Sequence, residues 1–318
     1  MELAENRMQK PATAGTGDSG GILIVDKPEG ITSAGVAARI KRLLRPRKIG
    51  HTGTLDPFAT GVLVICLNEA TRAADQFLNL NKVYTATVRF GVETDTLDGT
   101  GRVVRVSDAR FTEAALLDTI DSFRGRCIQK APRFSAVKVG GHRLYELSRK
   151  GIDVDRPERE VCIHSIALQS FAWPEAVLEV SCSKGTYIRQ LAADIGERLE
   201  SGAHVSTLRR TSVGPFHVDS ALGLEELATA AEEKRIAETI LPVNDALAFL
   251  PSICARDDVI LRRLRNGQMD PEWESAHAGA FATYAGAVRI VTESDRLAAL
   301  WWPNPVQTGA RRLRIFPF

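Results

Sequence analysis

No two of the five cysteines in this 318-residue chain form a Cys-x-x-Cys pair. Cys66, Cys127, Cys162, Cys182 and Cys254 are scattered, several inside strand-like apolar runs. An odd number at such spacing argues against a disulfide framework or a zinc site, and the six histidines also lack metal-ligand spacing. The expectation is a protein with no metal and no cofactor. No apolar run approaches the length that spans a bilayer, and the N-terminus lacks the basic-then-apolar order of a secretory signal, so the expected compartment is the cytoplasm. Internal repeats and long low-complexity tracts are missing too.

Charge of one sign is scarce overall but not locally. The net charge is only +2, which gives weak whole-molecule attraction to a polyanion. Yet Arg39, Lys41, Arg42, Arg45, Arg47 and Lys48 follow one another without an acid among them. Such a block suits phosphate contacts, and it equally suits a solvated helix face. Apolar and charged fractions of 44% and 25% are those of an ordinary globular protein, and the length suggests one large domain or a large and a small one.

In chain order, residues 1–20 are polar and unpatterned, a disordered tail by expectation. Residues 21–26 predict a buried strand and 27–30 a turn. Thr32 or Ser33 caps a helix to about Leu44 whose apolar positions are Val36, Ile40, Leu43 and Leu44. Helices are predicted over 70–80, 111–123, 224–240 and 257–266. Strands are predicted over 61–67, 82–91, 160–171, 176–183, 287–292 and 297–301, with a hairpin at Gly140-Gly141. A boundary near Leu250-Pro251 divides 21–250 from a β-rich 251–318 that ends in Arg311, Arg312 and Arg314.

The run from Gly50 to Val64, Gly-His-Thr-Gly-Thr-Leu-Asp-Pro-Phe-Ala-Thr-Gly-Val-Leu-Val, organises the rest. Pro57 pushes Asp56 out of the helical region, so its carboxylate is thrown outward from an extended or turn conformation. Local chemistry alone favours a plainer use, with Asp56 as an N-cap and Pro57 in the first helical turn. Farther on, Arg189 follows a strand-Gly-helix junction, Ser183-Lys-Gly-Thr-Tyr-Ile-Arg. A cation in the first turn of a helix opposes the dipole. A buried carboxylate partner would explain it; an exposed, unpartnered arginine is the alternative.

Four segments together resemble the bacterial tRNA pseudouridine-55 synthases. They are Asp26-Lys27-Pro28-x-Gly30-x-Thr32-Ser33, the Gly50 to Leu63 run, Lys82-x-Tyr84 before Gly91-x-x-Thr94-Asp95-Thr96-x-Asp98, and the Arg189 junction with Ala203 to Thr211 after it. The chain departs from that family at Ala131-Pro132, where two prolines are usual, at Asn68 for Gly and at Arg72 for Lys. The resemblance implies an α+β (mixed α/β) pseudouridine-synthase catalytic domain over 21–250, with a central antiparallel or mixed sheet and an RNA cleft. Position, size and pattern liken 251–318 to the small RNA-binding domain called PUA.

The resemblance also implies roles. Asp56 is the nucleophile, Arg189 its partner, and Tyr84 a pocket residue that shares in proton transfer. His51 fills the gap left by the flipped base; alone, it reads equally well as a loop-bracing histidine. Tyr187 and Leu208 are pocket walls, and Lys27 belongs with the substrate-binding residues. Tyr84 taken alone is an ordinary half-buried strand aromatic. Arg209 and Arg210 suit either phosphates or internal ion pairs. The implied partner is the T-arm of tRNA, bound by a monomer with no obligate protein partner and no membrane. Two other readings share the same surfaces: an RNA-folding factor with an idle Asp56 site, and a relative directed to ribosomal or small RNA.

Overall fold

The computed structural model describes residues 20–135, 137–152, 154–304 and 312–318. The expected tail lies outside the described residues except for Gly20, and Arg311 lies outside them as well. The backbone is built on a ten-stranded sheet. Its order is Leu241–Pro242, Gly21–Lys27, Thr60–Leu67, Ala203–Val213, Lys82–Phe90, Glu175–Cys182, Glu158–Ala172 and Gly125–Lys130, with Ile49–Thr52 beside Thr60–Leu67 and Phe216–His217 beside Ala203–Val213.

Every pair in this sheet is antiparallel except one. Thr60–Leu67 meets Ala203–Val213 in parallel through Arg209 opposite Thr60 and Arg210 opposite Gly61. Thr-Gly-Val-Leu-Val-Ile-Cys-Leu is apolar on both faces and is buried from Gly61 to Leu67, as a strand covered on both sides must be. Lys82–Phe90 instead alternates, with Lys82, Tyr84, Ala86, Val88 and Phe90 on the covered face. At the parallel junction Gly61 has φ +101, and an added Cβ would lie 2.1 Å from the Arg210 carbonyl oxygen. Only glycine lets the backbones approach this closely.

Helices close the faces. Ser33–Leu44 starts at Thr32, whose hydroxyl accepts from the Gly35 N–H at 2.9 Å, and buries Val36, Ala37 and Ile40 while Arg39, Lys41, Arg42, Arg45, Arg47 and Lys48 stay exposed. Ile188–Arg198 buries Leu191, Ala192 and Ile195 with the Ala203–Val213 and Lys82–Phe90 strands. The predicted helix over 70–80 divides into a 3₁₀ turn, Asn68–Ala73, and a short helix, Ala74–Leu78. The one over 224–240 stops at Glu232, since Lys234 takes φ +58 and a 3₁₀ turn, Ile236–Thr239, follows.

The C-terminal unit is a four-stranded sheet in the order Ser252–Cys254, Val288–Val291, Leu297–Trp301 and Leu313–Ile315. Two helices, Asp258–Arg265 and Pro271–Ala278, cover one face and enclose Ile260, Leu264, Ile290 and Trp301. Pro271–Ala278 has no counterpart in the sequence reading, because its apolar residues follow no 3.6-residue period. Leu297, Leu300, Trp302 and Phe316 pack into the same apolar cluster as Ile22, Val64, Phe77 and Phe216 of the large sheet. That shared cluster docks the small unit against the back of the first strands.

Candidate active site

Asp56 sits in a turn before the Thr60–Leu67 strand, its carbonyl accepting from the Ala59 N–H at 3.1 Å; no helix follows Pro57. The residues on either side of it are held from segment 27–33. The Ser33 hydroxyl donates to the Leu55 carbonyl at 3.1 Å and accepts from the Leu55 N–H at 2.9 Å. The Pro57 carbonyl accepts from the Gly30 N–H at 2.8 Å and from Lys27 Nζ at 3.1 Å. Lys27 is wholly buried and donates also to the carbonyls of Pro28 and Ile31. Loss of solvation outweighs the attraction of Asp56 and Glu29 and lowers its pKa to about 8.

Arg189 reaches the same carboxylate from the first turn of the Ile188–Arg198 helix. Its Nε lies 2.8 Å from Asp56 Oδ2 and its Nη2 3.1 Å from Oδ1, a two-pronged contact. Nη1 donates to the Thr96 carbonyl at 2.8 Å and stands 3.4 Å from Asp98 Oδ2, while Nη2 also donates to the Phe134 carbonyl at 2.9 Å. The Arg189 side chain is 4% exposed and that of Asp56 34%. One end of the pair is therefore enclosed and the other faces outward.

Asp98 is itself fixed, Oδ1 accepting from the Thr96 hydroxyl at 2.8 Å, the Thr100 hydroxyl at 2.6 Å and the Thr100 N–H at 3.1 Å. Leu97 between them has φ +63, a conformation rare for a branched side chain. Burial raises the Asp56 pKa above its ordinary value, against the pull of the Arg189 charge and with the Asp98 carboxylate adding to the rise.

Tyr84, Leu208, Leu55, Ala59 and Ile188 belong to one buried cluster beneath this pair. Burial raises the Tyr84 pKa, against the opposing charge of Arg210, so the phenol is neutral at pH 7. Tyr187 caps the Arg189 helix. The Gln129 amide brackets its backbone, accepting from the Tyr187 N–H at 2.8 Å and donating to the Tyr187 carbonyl at 3.1 Å. The Arg159 guanidinium lies 5.6 Å from the centre of the Tyr187 ring. His51 is half-buried at the end of the Ile49–Thr52 strand, its Nδ1 without a partner, and burial with the nearby Arg210 lowers its pKa.

Asp56, Arg189, Tyr84 and Leu208 thus come together from four separate elements. Lys27 comes to the underside of the loop, with its ammonium turned onto carbonyls. Arg209 and Arg210, open between two uses in the sequence, both find partners within the protein, Arg209 half-exposed and Arg210 buried. Arg209 pairs with Asp26 at 2.7 Å and 3.2 Å, and Arg210, 1% exposed, donates to the carbonyls of Val62 at 2.7 Å and Gly53 at 2.9 Å. Sequence reasoning passed over Ser33 except as a cap, and Asp98 and Gln129 as site residues. The Thr94-Asp-Thr-x-Asp98 spacing was the available signal for Asp98, and Gln129 left none.

Residues 41–188 match the TruB family pseudouridylate synthase (N terminal domain), and residues 189–248 the tRNA pseudouridylate synthase B C-terminal domain. A tRNA pseudouridine synthase B from Syntrophobacter fumaroxidans is 53% identical over 93% of this chain and 97% of its own length. One from Geobacter sulfurreducens is 41% identical over 93% and 99%. Among solved structures, a Cbf5-Nop10-Gar1 complex matches with TM-score 0.65 at 26% identity, over 93% of this chain and 82% of that one. The chain belongs to the TruB family of pseudouridine synthases, which are isomerases.

Proposed function

We propose that the substrate uridine is the T-loop uridine at tRNA position 55, and that Asp56 is the nucleophile. The observation that carries this reading is the two-pronged Asp56–Arg189 pair, enclosed on the arginine side and open on the other, above a floor of Tyr84 and Leu208. Isomerisation breaks the C1′–N1 bond, turns the base and joins C1′ to C5. A proton leaves C5 and one ends on N1, so there is no net oxidation or reduction and no energy input. A carboxylate, a pocket that retains the free base and a proton acceptor suffice.

Arg189 holds the Asp56 carboxylate ionised and aimed, and Tyr84 edges the base and shares in the proton transfer from C5. Tyr187 and Leu208 wall the base. His51 fills the stack the uridine leaves when it flips out, and as a neutral ring it does so without drawing in a counter-ion. Lys27 acts from below as a support of the Pro57 carbonyl rather than by touching RNA. The exposed Arg39 to Lys48 series grips phosphates, and the small C-terminal sheet serves as a PUA-like RNA-binding unit in a cytoplasmic, monomeric enzyme. The test is release of tritium from C5-labelled tRNA with the product position mapped. A T-loop product supports the reading, and a product elsewhere in the tRNA overturns the position.

A further inference from the structure

Behind Tyr84 lie two buried cations to which the reaction scheme has assigned nothing. Lys82 precedes Tyr84 by two residues on the same covered face of its strand, is 4% exposed, and donates from Nζ to the carbonyls of Leu78 at 2.6 Å and Leu80 at 2.5 Å. Arg210 is the cross-strand partner of Tyr84, reaches its phenol with a side-chain hydrogen bond, and donates to the carbonyls of Val62 and Gly53. Neither forms an ion pair with a carboxylate among the described residues.

The groups facing Lys82 do not neutralise it. They are Arg210 on one neighbouring strand, Cys182 on the other, Lys184 just beyond it, and the Gly53 backbone, where an added Cβ would lie 3.8 Å from Lys82 Cε. Burial pushes the Cys182 thiol up to about 11, so it is uncharged at neutral pH, and Lys184 donates to the Asn79 side chain. Leaving buried charge without a counter-charge is costly, and such a cost is sustained where an anion must be accommodated nearby.

We propose that Lys82, with Arg210 beside it, is a preorganised positive layer that stabilises the negative charge developing on the uracil ring held against Tyr84. The inference rests on the functional reading above. Attack at C1′ expels the ring with the N1 electron pair, and addition at C6 pushes a pair onto O4; in both routes the pyrimidine becomes the anion. Neither cation is exposed enough to touch the ring, so the effect acts through the field, at short range and in a medium of low dielectric. The ring gives the charge up when C5 bonds to C1′ and the Asp56 carboxylate is released, and the proton then lost from C5 and gained at N1 completes a neutral tautomerisation.

Arg210 also ties the Asp56 loop to the sheet, so Lys82 carries the test. Single-turnover tritium release and tRNA binding are measured for wild type, Lys82→Met and Lys82→Arg from about pH 6 to about pH 10. Lys82→Met is expected to slow the step by about tenfold to a hundredfold near neutral pH with Kd changed less than about twofold. Lys82 loses its proton at about 8. The ratio of the wild-type to the Lys82→Met rate therefore falls toward unity as pH rises through that value, while the ratio of the Lys82→Arg to the wild-type rate climbs.

Titrations that the substitution leaves unchanged, such as that of Lys27, cancel in these ratios. A ratio to Lys82→Met that is large but independent of pH marks a packing role and overturns the inference, as does an effect on Kd alone. If Lys82→Met does not fold, the Lys82→Arg ratio decides alone, and a flat one contradicts the proposal. Absence of T-loop isomerisation by the wild type overturns the functional reading instead.

Discussion

Arg189 Nε lies 2.8 Å from Asp56 Oδ2 although the two residues are 133 positions apart in the chain. The loop before the Thr60–Leu67 strand supplies one and the first turn of the Ile188–Arg198 helix the other. Asp98, itself fixed by Thr96 and Thr100, backs the guanidinium from its far side. The pair explains a cation placed where the helix dipole disfavours one.

Removing the guanidinium leaves two carboxylates facing each other. Arg189→Ala is expected to lower the single-turnover rate by at least about a hundredfold with Kd changed only a few-fold, and to lower folding stability by about 3 kcal/mol. Arg189 is the strongest influence lowering the Asp56 pKa, ahead of Lys27, so its loss moves the acid limb of the rate profile to higher pH. Rates across the acid range check this. A pure loss of affinity would make Arg189 a binding residue.

The Ser33 hydroxyl holds both backbone groups of Leu55, so its loss frees the peptide next to Asp56. Ser33→Ala is expected to cost about 1–2 kcal/mol in denaturant unfolding and to reduce turnover more than binding. Equal reduction of both would mean the loop is fixed by other contacts.

Lys27 gives a test in which stability and activity move in opposite directions. Its folded pKa of about 8 lies below the ordinary 10.5, so between these values the unfolded chain binds more protons and the stability contributed by this group rises with pH. The gap in unfolding free energy between wild type and Lys27→Met should therefore widen in favour of the wild type from about pH 8 upward. Over the same window wild-type turnover should fall, because the ammonium loses a proton with which it holds the Pro57, Pro28 and Ile31 carbonyls. Chemical unfolding and turnover measured at matched pH check both signs.

The docking of the small C-terminal sheet rests on Trp302, Leu300 and Phe316 meeting Phe77 and Phe216. Trp302→Ala is expected to cost about 3 kcal/mol. Protease cleavage near Pro251 should become faster, while tritium release per folded molecule stays within about twofold. Uniform cleavage along the chain would show that the two units unfold together.

The site residues were singled out in the sequence by the resemblance of their motifs, since taken alone Asp56 suited an N-cap and Tyr84 an ordinary strand aromatic, while their placement had local signals. The Pro after Asp56 dictates an outward carboxylate, the glycine before the Ile188–Arg198 helix marks the junction that carries Arg189, and alternation in Lys82–Phe90 places Tyr84 on the covered face. What stayed hidden depends on register between distant strands. The two uses open to Arg210 were separated only by the parallel contact with Gly61, 149 positions away by number, which swings its side chain onto the Val62 and Gly53 carbonyls. Nothing in the motif around Lys27 signals that its buried ammonium turns onto the carbonyls of Pro28, Ile31 and Pro57, which depends on how the 27–33 segment meets the Asp56 loop. The long helix predicted over 224–240 broke because periodicity carries no information on where a left-handed residue such as Lys234 will end it.

The central claim, that Asp56 performs the chemistry on the T-loop uridine, is tested most directly by tritium release from C5-labelled tRNA transcript with wild type and Asp56→Asn side by side. The account predicts release by the wild type alone, mapped to the T-loop uridine, with both proteins binding tRNA to within about threefold and the variant slower by at least about ten-thousandfold. Release by Asp56→Asn at the wild-type rate, or tight tRNA binding without release by either, would contradict it.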